Sequence, residues 1–162
     1  MPDESIYILS GGIKTGKTTK LREFSEKSDN VYGILTPLID GKRFFMDAHT
    51  NEHFPMEIDN DSGLGLRVGK YLFDLDSFNK AKAIIRSALH HKYGWLIIDE
   101  IGPLELNKDG FYDVVTEIII SRPKLKMLFV IRDTILHKAI DFFKLNFSSV
   151  QVIDTSSNIL NT

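Results

Sequence analysis

Gly11-Gly12-Ile13-Lys14-Thr15-Gly16-Lys17-Thr18 constrains this chain more than any other segment, because it fits the spacing G-x-x-x-x-G-K-[ST]. Such a loop has meaning only between a strand and a helix. Ser5-Ile6-Tyr7-Ile8-Leu9 reads as the strand before it, and a helix opens at Lys17-Thr18-Thr19 and runs to about Lys27. The glycines let backbone N–H groups turn toward phosphate oxygens, and the helix N-terminus adds partial positive charge there. Gly11, Gly12, Ile13, Lys14, Thr15, Gly16, Lys17 and Thr18 are therefore the expected nucleotide-binding set. Lys17 is expected to reach the β- and γ-phosphates, and Thr18 to hold Mg²⁺ through its hydroxyl.

The rest of the chain alternates apolar strands with amphipathic helices, which predicts an α/β fold with a mainly parallel sheet between helices. Val31 to Leu35, Trp95 to Ile98, Met127 to Ile131 and Val150 to Ile153 read as strands, with Leu72-Phe73 as a shorter one. A helix capped by Asp76 or Ser77 is expected to run to about His91, one from about Gly110 to Ser121, and one capped by Asp133 with Phe143 on its inner face. Residues 36–60 differ. Asp40-Gly41 is a hairpin signal, and Arg43 to Ala48 and His53 to Ile58 read as antiparallel strands, a β-hairpin insertion at the edge of one domain spanning 1–162. Residues 59–65 are expected to form a loop.

Trp95-Leu96-Ile97-Ile98-Asp99-Glu100 is an apolar strand ending in two acids, the Walker B pattern. Parallel sheets bind ligands at the carboxyl ends of their strands. Asp99 is expected to hold Mg²⁺, usually through water, and Glu100 to orient or deprotonate a water near the γ-phosphate.

In this order, Gly11–Thr19, Val31-Tyr32-Gly33-Ile34-Leu35-Thr36, Arg67-Val68-Gly69-Lys70-Tyr71 and Asp99-Glu100-Ile101-Gly102-Pro103-Leu104-Glu105-Leu106 resemble the small nucleoside-triphosphatases once labelled nucleotide-kinase-related proteins. The resemblance covers nearly the whole chain. It implies a RecA-like P-loop NTPase fold and slow, Mg²⁺-dependent hydrolysis of nucleoside triphosphates with loose base preference. It adds Thr19 to the nucleotide-binding residues and makes Glu105 and Thr36 site residues. Glu105 stands as a partner behind the site or as a cap at a helix entrance. Arg67 becomes a candidate for stabilising charge on the transferring phosphoryl group, beside Glu100 and Lys17 as catalytic residues. Asn158 matches a terminal motif near the base pocket, although most of the family's usual last helix does not follow it. Lys14 replaces a usual Gly, and either leans over the phosphates or points to solvent. Arg132, at a strand end, is a γ-phosphate sensor or a surface residue.

Composition narrows the alternatives. With 43% hydrophobic residues and a net charge of −2, the 162-residue chain has the makings of a globular core and no one-sided basic face, so nucleic acid is not an expected partner. Cysteine is absent, which excludes thiolate chemistry and fits a cytoplasmic location. The acidic N-terminus lacks a signal-peptide h-region, and no apolar run approaches membrane-spanning length. His49 and His53 fall in the hairpin, so their spacing does not suggest a metal site. Nucleoside triphosphates are the expected substrates. The alternatives are a nucleotide or nucleoside kinase, with the insertion and loop forming an acceptor pocket and lid, and a nucleotide-dependent switch acting with an unknown protein partner.

Overall fold

The computed structural model describes residues 6–12, 16–58, 65–68, 71–146 and 150–161. Ser5, Ile13, Lys14, Thr15, the loop at 59–64, Gly69, Lys70 and Phe147 lie outside the described residues.

Strand β1 (Ile6–Gly11) leads to helix α1 (Lys17–Glu26), and β2 (Val31–Leu35) follows. The insertion then forms β3 (Leu38–Ile39), β4 (Lys42–Asp47) and β5 (His53–Pro55). Next come β6 (Gly65–Val68), β7 (Tyr71–Asp74) and α2 (Leu75–Ala88). The second half holds β8 (Trp95–Ile98), the short α3 (Pro103–Leu106), α4 (Tyr112–Ser121), β9 (Lys126–Arg132), α5 (Leu136–Phe142) and β10 (Gln151–Ile153). A final 3₁₀ turn spans Asn158–Asn161.

The sheet order is β10-β1-β9-β8-β2-β4-β3, with β5 also on β4. From β10 to β2 every pairing is parallel, and the insertion adds antiparallel strands at the edge beyond β2. Residues of the parallel strands alternate between two cores, as strands covered on both faces must. Ile6, Ile8, Leu96 and Ile98 pack with Phe78 and Ile85 of α2, Val114 and Ile118 of α4, and Ala139 of α5. Tyr7, Leu9, Ile97 and Leu128 face the other way, against Leu21 and Phe24 of α1 and Leu160 of the final turn. Gly33 permits the close approach of β2 to β8: it sits at φ 106°, and a Cβ there would collide with the Ile97 carbonyl.

Several local expectations are corrected. The cap of α2 is Asp74, whose carboxylate accepts from Asp76 N–H and Ser77 Oγ at 3.1 Å each; Asp76 and Ser77 lie in the first turn instead. The helix ends at Ala88, so His90-His91 lie beyond it. Asp133 does not cap α5 but opens a 3₁₀ turn (Asp133–Ile135) that precedes it. Residues 65–68 are a strand, and β6 and β7 form a separate antiparallel ribbon. That ribbon leans on the end of the insertion, where Asp74 N–H donates to the Met56 carbonyl at 2.8 Å and Ile58 N–H to that of Leu72 at 2.9 Å. At four residues, α3 is too short to show a periodicity.

Candidate active site

The loop occupies the place its spacing demands: β1 ends at Gly11 and α1 begins at Lys17. Gly16, immediately before the helix, stands at φ 82°, where a side chain would be strained. Lys17 is 8% exposed and turns back along the loop. Its Nζ donates to the Gly12 carbonyl at 2.6 Å and the Gly11 carbonyl at 3.3 Å. Thr18 is half-buried, and Thr19 is exposed on α1.

Register brings the acids to the same edge. β9 lies between β1 and β8, with Gly11 opposite Arg132 and Ile98 opposite Phe129. Thr18 Oγ1 donates to Asp99 Oδ2 at 2.8 Å, and Thr36 N–H donates to the same oxygen at 3.1 Å. Asp99 is 1% exposed. Burial pushes its pKa above the usual carboxylate range, while the bonds from Thr18 and Thr36 pull it down. A carboxylate stripped of water beside a threonine hydroxyl offers only oxygen donors, the set a hard cation such as Mg²⁺ takes. The donor chemistry therefore fits the ion expected at Thr18 and Asp99.

Glu100 points its carboxylate at Arg132, whose Nε lies 3.0 Å from Oε1; both side chains are about a quarter exposed. Arg132 thus belongs to the acid edge rather than to the outer surface. The signal available in sequence was its position at the end of the strand that separates the loop strand from the acid strand. Ser10, the last residue but one of β1, carries a buried hydroxyl with no hydrogen-bond partner among the described residues. Such unsatisfied groups are uncommon in native structures.

Glu105 is 3% exposed and occupies the helix entrance. Its Oε1 accepts from Gly102 N–H at 2.8 Å and its Oε2 from Phe111 N–H at 2.9 Å, which ties α3 to the start of α4. Burial pushes its pKa from 4.5 up to about 7, against the pull of those two N–H groups. Gly110 leaves the space for this carboxylate, since a Cβ there would collide with Oε2. Arg67 lies exposed on β6, with no ion pair joining it to the loop or the acids among the described residues. Asn158 is exposed at the start of the final turn, which packs on α1 through Leu160. His49 and His53 fall on a turn and on β5, and Tyr32 stacks on His91 at 3.9 Å and on His49 at 4.9 Å.

A family model described as NTPase matches residues 6–161, nearly the whole chain. The chain belongs to this NTPase family. Within it, 115 aligned residues are 32% identical to the nucleoside-triphosphatase THEP1 of Methanopyrus kandleri, covering 67% of this chain and 63% of that protein. The nucleoside-triphosphatase THEP1 of Pyrobaculum islandicum is 29% identical over 127 residues, 72% of this chain and 69% of its own length. The crystal structure of THEP1 from the hyperthermophile Aquifex aeolicus superposes with a TM-score of 0.72 over 96% of this chain and 94% of that one, at 21% identity. The solution structure of a human cancer-related nucleoside triphosphatase gives 0.67 over 96% and 92%, at 25% identity. The NTPase family's α/β P-loop fold, expected from the alternation of strands and helices and from the family resemblance, is therefore the fold of this chain.

Proposed function

We propose that this protein hydrolyses nucleoside 5′-triphosphates, ATP and GTP among them, to the diphosphate and phosphate in a Mg²⁺-dependent reaction. The observation that carries the reading is the 2.8 Å contact from Thr18 Oγ1 to Asp99 Oδ2, which joins the loop helix to the strand-end acid across 81 residues of sequence. Membership of the NTPase family supports the same reaction. Lys17 exchanges its bonds to the loop carbonyls for oxygens of the β- and γ-phosphates, and the loop N–H groups hold the remainder. Thr18 and Asp99 would hold Mg²⁺, which would neutralise charge on the phosphate oxygens. Glu100 orients the attacking water and accepts its proton. Arg132 fixes the direction of the Glu100 carboxylate through their 3.0 Å ion pair. Arg67 stabilises charge on the transferred phosphoryl group, and Asn158 contacts the base. The location is the cytoplasm, where nucleoside triphosphates are abundant.

The test is phosphate release from ATP, GTP, CTP and UTP with Mg²⁺, comparing wild type with Glu100→Gln. Turnover on several bases, lowered on the order of 10²–10⁴-fold in the variant, is the expected result. A folded Glu100→Gln protein that hydrolyses at the wild-type rate would remove Glu100 from its role. Turnover that survives EDTA would remove the metal.

A further inference from the structure

Next to the acid edge lies a cleft of about 310 Å³, lined by Thr36, Glu100 and Arg132 on the side of the phosphate site. Among the described residues its lining comes from the acid edge and not from the glycine loop, so it adjoins the proposed triphosphate site on the side of Glu100. Hydrolysis needs room for one attacking water. A single water takes about 10–15 Å³ on this measure, so the cleft is roughly twenty times too large for that task alone. Its volume matches the lower end of small-molecule sites, about 300–1,000 Å³.

The walls say what would fill it. Phe73 of β7, Phe78 of α2 and Phe111 present aromatic rings, and Met56, Pro103 and Leu104 add apolar wall. The Phe78 ring centre lies 5.3 Å from that of Phe111 and 6.0 Å from that of Phe73. Three of the four charged side chains in the lining are already met: Glu105 accepts two backbone N–H groups, and Glu100 pairs with Arg132. Arg43 of β4 lines the cleft half-buried and makes no ion pair among the described residues, which leaves a planar donor group in its wall. An uncharged aromatic heterocycle with ring carbonyl or nitrogen acceptors fits these walls. Glu100 lines the same cleft, so a hydroxyl on such a body shares its walls with a carboxylate able to take a proton.

We propose that the cleft binds a nucleoside or similar hydroxymethyl-bearing heterocycle, and that its hydroxyl accepts the γ-phosphoryl group of the triphosphate. The inference rests on the reading of Glu100 as the group that takes the nucleophile's proton. In the step, the acceptor oxygen bonds to the γ-phosphorus and the bond from that phosphorus to the β,γ-bridging oxygen breaks. The hydroxyl proton passes to Glu100, leaving a phosphate monoester and a nucleoside diphosphate. Water takes the same place when the cleft holds no acceptor, which makes hydrolysis the partial reaction of a transferase. Part of the wall, Arg43 and Met56 of the insertion and Tyr71 and Phe73 of the β6–β7 ribbon, comes from segments that the phosphate chemistry itself does not require.

The experiment incubates the protein with Mg²⁺ and γ-labelled ATP, together with adenosine, guanosine, cytidine or uridine, and counts labelled ester against labelled phosphate. Saturation-transfer NMR of the same nucleosides reads binding without turnover. At least one nucleoside is expected to give an NMR signal and to take label faster than water does. Met56→Trp, which fills the cleft from the insertion side, is expected to lower the ester-to-phosphate ratio about tenfold or more and to erase the NMR signal. Arg43→Ala, at a half-buried strand position, serves should that variant not fold, and is expected to raise the KM for the nucleoside with kcat little changed. ATP hydrolysis with neither signal nor ester for any of the nucleosides overturns the proposal. Transfer that both variants leave intact overturns the assignment of the cleft, and transfer to nucleoside monophosphates alone overturns the uncharged acceptor. Full hydrolysis in Glu100→Gln would instead overturn the reading of Glu100, while the NMR signal would still judge the cleft.

Discussion

Asp99 and Glu105 are both almost fully buried carboxylates, at 1% and 3% exposure, and both sit just after β8. Their partners separate them. Glu105 is held by the N–H groups of Gly102 and Phe111, within six residues of itself. Asp99 is held by a threonine hydroxyl from the loop helix and by the N–H of Thr36, 81 and 63 residues away. A backbone N–H has no better use than the carboxylate it caps, so Glu105 is architecture. A hydroxyl can turn its oxygen to a cation, so Asp99 suits the chemistry proposed for it. Burial alone would have placed the two acids in one class.

The comparison can be broken first at Asp99. Asp99→Asn keeps the size and one acceptor but removes the charge, so turnover is expected to fall on the order of 10²–10³-fold in a phosphate-release assay. Thermal unfolding should occur at the same temperature or higher, because a buried charge with two hydrogen bonds and no counter-charge is gone. A matching collapse of turnover in a stable Glu105→Gln protein would erase the distinction.

Acidity gives the next largest effect. The folded pKa of Glu105 is raised from 4.5 to about 7, so the folded protein binds this proton more tightly than the unfolded chain. Its stabilising contribution is complete below about pH 4.5 and is lost as pH rises through 7. Denaturant unfolding of wild type should lose roughly 2–3 kcal/mol relative to Glu105→Gln between pH 5 and pH 8. Parallel curves for the two proteins would show that the carboxyl is ionised throughout.

Smaller again is the substitution itself at pH 8. Glu105→Gln sets an amide donor against one of two backbone donors, which costs about 1–3 kcal/mol in the same unfolding measurement. Smallest is Thr18→Val, which removes one hydrogen bond to Asp99 and lowers stability by about 1 kcal/mol. Its larger consequence is read as a raised Mg²⁺ requirement for turnover; an unchanged requirement would take Thr18 out of the metal site.

The loop and the strand-end acids were legible because each is a contiguous string whose spacing carries its chemistry. The parallel strands were legible from their unbroken apolar runs. The cap of α2 was missed by two residues, since Asp74, Asp76 and Ser77 all suit a helix start and only the backbone geometry selects among them. The ribbon of β6 and β7 was half seen, because four-residue strands barely establish an alternation. The Glu100–Arg132 pair depends on β9 lying beside β8, which is a fact of strand order and not of either local sequence. The cleft likewise gathers residues from six separate stretches, so no window of sequence contains it.

Lys17 already donates to the carbonyls of Gly11 and Gly12. A nucleotide arriving at this loop must therefore displace an internal occupant, and the loop acts as its own competitor. Observed affinity is then the intrinsic affinity scaled by the fraction of molecules whose lysine has swung free. For the reaction proposed above, a ligand with only one or two phosphates would recover fewer of the surrendered bonds, so the self-bound lysine would act as a threshold in favour of the triphosphate.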